Sequence, residues 1–176
     1  MKSVLISIQP KWCELIASGK KTVEVRKTRP KLDTPFKCYI YCTHSKNGIA
    51  YCKGNNILNG KVIGEFVCDM VFKIDKDSID FIYRLEDYSM YFGFGKRAYN
   101  LDPCLAENEL IDYLNHKQGY GWHISNLVIY DKPRELSEFY RHDNTYDNAF
   151  GWAFDDRAKS IPITRPPQSW CYVEGD

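Results

Sequence analysis

From Lys61 to Ile74 the chain reads Lys-Val-Ile-Gly-Glu-Phe-Val-Cys-Asp-Met-Val-Phe-Lys-Ile, its longest β-forming run. β-branched and aromatic residues suit a pleated, half-buried surface, so such a run needs paired neighbours. Asn59-Gly60 just before it is a turn signal, and Gly64 inside it predicts a bulge or bend of the kind a closing sheet needs. Shorter β-rich runs fall at 3–8, about 21–27, Phe36–Cys42, about 122–130 and Ser169–Glu174. Gly119-Tyr120-Gly121 reads as a break before the run at 122. Helical spacing is clear in two places. Pro10 opens one helix, Trp12, Leu15 and Ile16 form its apolar stripe, and Gly19 ends it. Asp102-Pro103 predicts the other, with Asp as cap and Leu105, Leu110, Ile111 and Leu114 as its stripe to about His116. A short helix is expected over Pro133–Tyr140. There is no alternation of strand and helix and no internal repeat. Strands at both ends and in the middle, with few helices, predict an α+β chain: a small barrel with helices packed at its edge.

At 176 residues one domain with a real core is expected, spanning 1–176, with loop insertions near 44–59, 76–104 and 141–160. Aromatic residues make up 15%, which suits strands or a stacking surface. The net charge of +1 means that any nucleic-acid surface must be a local basic patch. No apolar run approaches the ~20 residues of a membrane span. The apolar stretch after Lys2 is short and broken by Ser7 and Gln9, so it reads as a first strand rather than a signal peptide. Seven cysteines without a CxxC pair read as reduced thiols in a cytoplasmic protein. Cys38, Cys42 and Cys52 lack zinc spacing, so no metal is expected. No cofactor motif is present either. Gly93-Phe94-Gly95-Lys96 lacks phosphate-loop spacing. As an exposed loop, its aromatics beside Lys96 and Arg97 can hold single-stranded nucleic acid, while as anchors Tyr91, Phe92 and Phe94 belong to a core. The four histidines form no catalytic pattern, and His123 beside Trp122 reads as structural.

The stretch Ser18-Gly19-Lys20-Lys21-Thr22-Val23-Glu24-Val25-Arg26 carries the strongest functional signal. As a strand, alternation puts Thr22, Glu24 and Arg26 on one face, and Val23, Val25 and Lys21 on the other. Glu24 and Arg26 then form either a solvated surface pair or the wall of a polar site. Only a bend after Gly19 could bring Lys21 to Glu24. Lys20, Lys21, Arg26, Lys27, Arg29 and Lys31 stand against Glu24 alone, a local basic strip able to meet phosphates or a plain solvated rim.

These residues resemble a known family. Gly19, Lys21, Glu24 and Arg26 match the G-x-K-x-x-E-x-R signature of the ASCH domain, preceded by Ser7, Pro10 and Trp12 as in that family. Tyr39–Thr43, Lys61–Asp69, Trp122–Asn126 and Gln168–Trp170 resemble its later strands. The resemblance implies an α+β, PUA-like mixed or antiparallel β-barrel with helices at its edge. It implies a cleft that binds RNA or a nucleotide-like small molecule, lined by Ser7, Trp12, Lys21, Thr22, Glu24, Arg26, Lys27 and Trp122. Trp12 or Trp122 then stacks a base or packs in the core. One branch of the family hydrolyses an acylated cytidine with a Lys, a Thr and a later Glu. Here Lys21 matches, Glu24 stands at the threonine position, and Glu65 is the candidate acid. Three functions follow: recognition of RNA or a modified nucleotide, an amidohydrolase using Lys21, Glu24 and Glu65, or an interaction module with a vestigial cleft.

Overall fold

The computed structural model describes residues 2–45, 50–53, 56–75, 89–91, 98–142 and 160–175. Within them the chain is α+β, mostly strands with two helices. The elements are β1 (Lys2–Ile8), α1 (Pro10–Ala17), β2 (Val23–Arg26), β3 (Phe36–Cys42), β4 (Cys52–Lys53), β5 (Asn56–Ile57), β6 (Val62–Cys68) and β7 (Val71–Ile74). They continue with β8 (Ser89–Tyr91), β9 (Ala98–Asn100), α2 (Glu107–Leu114), β10 (Gly119–His123), β11 (Ser125–Arg134), β12 (Tyr140–His142), β13 (Ser160–Pro162) and β14 (Trp170–Glu174). No helix among the described residues is long and apolar enough to cross a membrane. The expected insertions lie largely outside the described residues, which omit 46–49, 54–55, 76–88, 92–97 and 143–159 and so the Phe92–Arg97 loop. The described parts of those insertions include the short antiparallel strand pairs β4–β5 and β8–β9.

The chain divides into two compact units. The first comprises Met1–Lys11, Lys37–Glu65 and Val128–Asp176. It is built on a five-stranded sheet of order β11-β6-β3-β1-β14. β1 runs antiparallel to β14 and parallel to β3, so the sheet is mixed. Its core gathers Leu5, Tyr39, Tyr41, Val62, Phe139, Ile163 and Val173. Gly64 does not interrupt β6. A Cβ there would lie 2.3 Å from the Val128 carbonyl oxygen, so the glycine serves the close approach of β11. The helix expected over Pro133–Tyr140 is a single 3-10 turn, Leu136–Glu138, because β11 runs on to Arg134 and β12 begins at Tyr140.

The second unit comprises Trp12–Phe36 and Phe66–Leu127. Its sheet has the order β2-β10-β7, both pairs antiparallel. Val23 and Val25 of β2 pack with Ile74, Leu101, Leu110 and Leu114. Each buried aliphatic side chain of this kind contributes ~1.5–3 kcal/mol relative to exposure. The glycines expected to break the chain at 119 and 121 lie inside β10. There a Cβ would collide with Leu114 at 2.4 Å or with the Phe72 ring at 2.3 Å, and the bare backbone lets α2 and β7 close on the strand.

The long β run is two strands rather than one. It divides at Asp69-Met70, where the Asp69 carboxylate meets His123 Nδ1 at 2.6 Å and the Met70 carbonyl accepts from the His123 amide. The Met70 carbonyl extends the β7–β10 pairing by one bond, while the Asp69 side chain ties the turn to His123. The structural reading of His123 agrees with this placement. The second helix starts at Glu107, not at Asp102. The Asp102 carboxylate caps the Cys104 amide at 2.7 Å, and Cys104 takes the left-handed conformation (φ 53°), which no helix can continue. Glu109 reaches back to the Ala106 amide and starts the helix there, and Asn115 ends it with φ 54°.

Candidate functional site

The signature stretch is assembled from three local devices in the second unit. Helix α1 ends where the Gly19, Lys20 and Lys21 amides turn back to the Ile16 and Leu15 carbonyls, with Gly19 at φ 74°. β2 then begins at Val23, two residues later than expected, so Lys21 is not a strand residue. Freed from alternation, it lies against the Glu24 side of β2. Finally, the edge of β2 that faces away from β10 is closed by the loop before α2. The Thr22 and Val23 amides both donate to the Asp102 carbonyl, and the Asp102 amide donates to Thr22 Oγ1 at 2.7 Å.

The solvated-face alternative for this stretch is overturned. Lys21, Glu24 and Arg26 are 3%, 6% and 7% exposed. Glu24 lies between two cations: Oε1 is 2.9 Å from Arg26 Nη2 and Oε2 is 3.6 Å from Lys21 Nζ. Lys21 Nζ also donates to the Pro103 carbonyl at 2.5 Å and lies 5.1 Å from the centroid of the half-buried Trp12 ring. Burial lowers the Lys21 pKa from its ordinary 10.5, outweighing the pull of the Glu24 carboxylate, and the Arg26 charge lowers it further. With Lys21 protonated the cluster carries one net positive charge in an apolar setting. It can attract a phosphate or carbonyl oxygen, and with Lys21 neutral it offers an amine able to take a proton.

The other expected residues have separate placements. Trp122 stands opposite Glu24 in the β2–β10 register, but it is 0% exposed and packs edge-on against Phe36 at 5.9 Å. It forms a low-dielectric wall behind the charges, the core alternative rather than the stacking one. Thr22 is engaged with the Asp102 backbone. Lys27 is exposed, with its ammonium 5.3 Å from the Tyr113 ring centroid. Ser7 and Glu65 belong to the first unit. The Ser7 hydroxyl donates to the Pro167 carbonyl at 2.6 Å. Glu65 accepts from the Tyr130 hydroxyl at 2.6 Å and pairs with Lys37 at 3.0 Å. Burial pushes its carboxyl upward, but Tyr130 and Lys37 together hold it below the ordinary carboxylate value.

Sequence reasoning missed three parts of this site. The Asp102–Pro103 carbonyls arrive from about 80 residues away along the chain, and no local pattern announces them. The Cys104 thiol lies within the field of Lys21, although burial and Asp102 raise its pKa. Tyr113 was legible as an aromatic off the Leu110–Ile111–Leu114 stripe. Among the described residues no cluster of His, Cys, Asp and Glu is arranged to hold a metal.

The fold and this stretch together define a strand-rich α+β protein with a charged triad at a helix-to-strand bend. Residues 6–66 match the family model of the ASCH domain. Its fold is similar to crystal structures of an ASCH protein from Zymomonas mobilis. A Tyr-to-Phe variant of that protein superposes with a TM-score of 0.57 at 19% identity, covering 99% of this chain and 91% of that one. A Ser-to-Ala variant gives 0.56 at 18% identity, with 98% and 88% covered. The unsubstituted ASCH protein gives 0.53 at 19% identity, with 98% and 87% covered. At these identities the likeness concerns the fold alone. Comparison with curated proteins finds no match.

Proposed function

We propose that this protein binds RNA or a modified nucleotide in a cleft lined by Gly19, Lys21, Glu24 and Arg26. The observation that carries the reading is the buried Lys21–Glu24–Arg26 triad. Three ionisable groups placed where apolar side chains would pack more cheaply mark a site built for a polar ligand. Lys21 and Arg26 meet phosphate or carbonyl oxygens, and Glu24 accepts from an exocyclic amine. Lys27, with Arg29 and Lys31 of the same exposed strip, extends the positive surface for a backbone phosphate. The reading takes residues 1–176 as a single cytoplasmic PUA-like domain whose strands close into a barrel. The mixed β14–β1–β3 pairing is compatible with that closure.

Filter binding of single-stranded and hairpin RNA at low salt tests the proposal, because the electrostatic part of affinity is strongest there. Wild type should bind, and Lys21→Ala and Arg26→Ala should each weaken binding about tenfold or more, the scale of a lost charge-assisted contact. Absence of binding at low salt overturns it. The lowered pKa of Lys21 favours one second reading, hydrolysis of an acylated cytidine with Lys21 as base. Glu24 at the threonine position argues for recognition instead. Release of cytidine from N4-acetylcytidine decides between the two, and no turnover at high enzyme ends the second.

A further inference from the structure

Helix α2 turns Leu110 and Leu114 into the core, with Ile111 packed partly against it, yet leaves Tyr113 40% exposed. The ring is therefore not needed to fill the unit's interior. A Cβ on Gly119 would lie 2.4 Å from Leu114 Cδ2 and 3.2 Å from the Arg26 carbonyl oxygen, so the end of α2 is seated directly against the end of β2. Tyr113 directly precedes Leu114 at this junction, next to Lys27, the residue after Arg26. Burial raises the phenol's pKa, and the fields of Arg26 and Glu24 both act on it. The Lys27 ammonium lies over the ring at 5.3 Å from its centroid.

An exposed aromatic ring next to a buried cation–carboxylate pair, with a surface ammonium at hand, is the equipment that holds a nucleotide. The base stacks on the ring, the charged pair reads its polar edge, and the ammonium meets its phosphate. We infer that Tyr113 is the base-stacking platform of the Lys21–Glu24–Arg26 site, and that the ligand is a nucleotide with a flat base rather than a bare phosphate or sugar phosphate. The inference rests on the nucleotide-binding reading of that site. Trp122 cannot serve this purpose, since it is fully buried. In the complex Lys27 leaves the ring face to the base and turns to the phosphate.

The experiment is calorimetric titration with CMP, ribose 5-phosphate and a short single-stranded oligocytidylate, on wild type, Tyr113→Phe and Tyr113→Leu. Leucine keeps apolar bulk and helix propensity but has no π face. CMP should bind wild type and Tyr113→Phe alike and Tyr113→Leu about fivefold or more weakly, the scale of one lost stack. Ribose 5-phosphate should bind weakly and equally to all three. A pyrrolocytidine monophosphate probe, whose emission falls when it stacks, should be quenched by wild type and not by Tyr113→Leu. The oligonucleotide arm separates a free nucleotide from an unpaired position in RNA as the source of the base. If wild type binds CMP but Tyr113→Leu binds and quenches equally, the platform is overturned while the site survives. If wild type binds neither CMP nor the oligonucleotide, both fall.

Discussion

Glu24→Gln removes the single negative charge from the triad and changes side-chain volume hardly at all. In the native protein that charge lies 2.9 Å from Arg26 and 3.6 Å from Lys21, with all three groups almost fully buried. At an effective dielectric near 20 each contact is a gross attraction on the order of 5 kcal/mol, offset by desolvation and by repulsion between the two cations. Removing the shared partner of a buried pair destabilises by about 3–5 kcal/mol. Lys21 can shed its proton, which limits the penalty, so a loss of about 3 kcal/mol near neutral pH is expected. In a chain of this size that corresponds to a fall of roughly 6–12 °C in Tm. Urea unfolding followed by tryptophan fluorescence should show a lower midpoint with an unchanged slope. The pH dependence carries a second signature. The folded pKa of Lys21 is below the ordinary 10.5, so between those values the unfolded chain binds a proton that the native one does not. Native stability therefore rises with pH through that window. Without Glu24 the folded pKa falls further and the window opens at lower pH, so the deficit of the variant should shrink as pH is raised. A loss below about 0.5 kcal/mol, flat with pH, is what an exposed pair would give and would refute the argument from burial.

Two further outcomes follow from packing and titration. Gly121→Ala places a methyl 2.3 Å from the Phe72 ring and should cost about 1–3 kcal/mol in urea unfolding, whereas Gly19→Ala, with nothing within 4 Å but φ 74°, should cost about 1 kcal/mol from backbone strain alone. Tyr130→Phe removes the hydroxyl that Glu65 accepts from. Because the folded pKa of Glu65 is held below 4.5, its contribution is present above that value and lost as pH falls through the folded one. The variant should lose less stability than wild type between pH 5 and pH 3, measured by the same unfolding assay.

Much of this architecture is legible in the residues themselves. Phe36–Cys42, rich in aromatic and aliphatic residues, forms a strand over those bounds, and Gly19 stops α1 as its left-handed preference dictates. Gly19, Lys21, Glu24 and Arg26 stood out through their resemblance to the ASCH signature, and alternation put Glu24 and Arg26 on one face of β2. Burial was not legible there, because what covers the charges comes from elsewhere: Pro103 from a distant loop, Trp122 from β10. The division of Lys61–Ile74 left only a weak trace, the strand-disfavouring Asp69. Asp69 and Met70 sit between equally β-prone residues, and only their bonds to His123 turn the chain. Asp102-Pro103 carried a sound helix-start signal whose carboxylate is spent on a tight turn instead. Tertiary bonding overrode local preference at each of these places.

The clamp between Thr22 and Asp102 also sets when the triad comes into being. Its bonds join residues 80 apart in sequence. Closing a loop of that length costs about 4 kcal/mol in chain entropy before any contact repays it. Early in folding, Lys21, Glu24 and Arg26 therefore remain hydrated on an α1–β2 hairpin whose open edge still faces water. Dehydration of the charges waits for two long-range closures, the docking of the Asp102 carbonyl and the still more distant pairing of β2 with β10. Contacts made before those closures are thus free of the electrostatic burden of the site. Substitutions in the triad are felt chiefly as faster unfolding rather than slower folding.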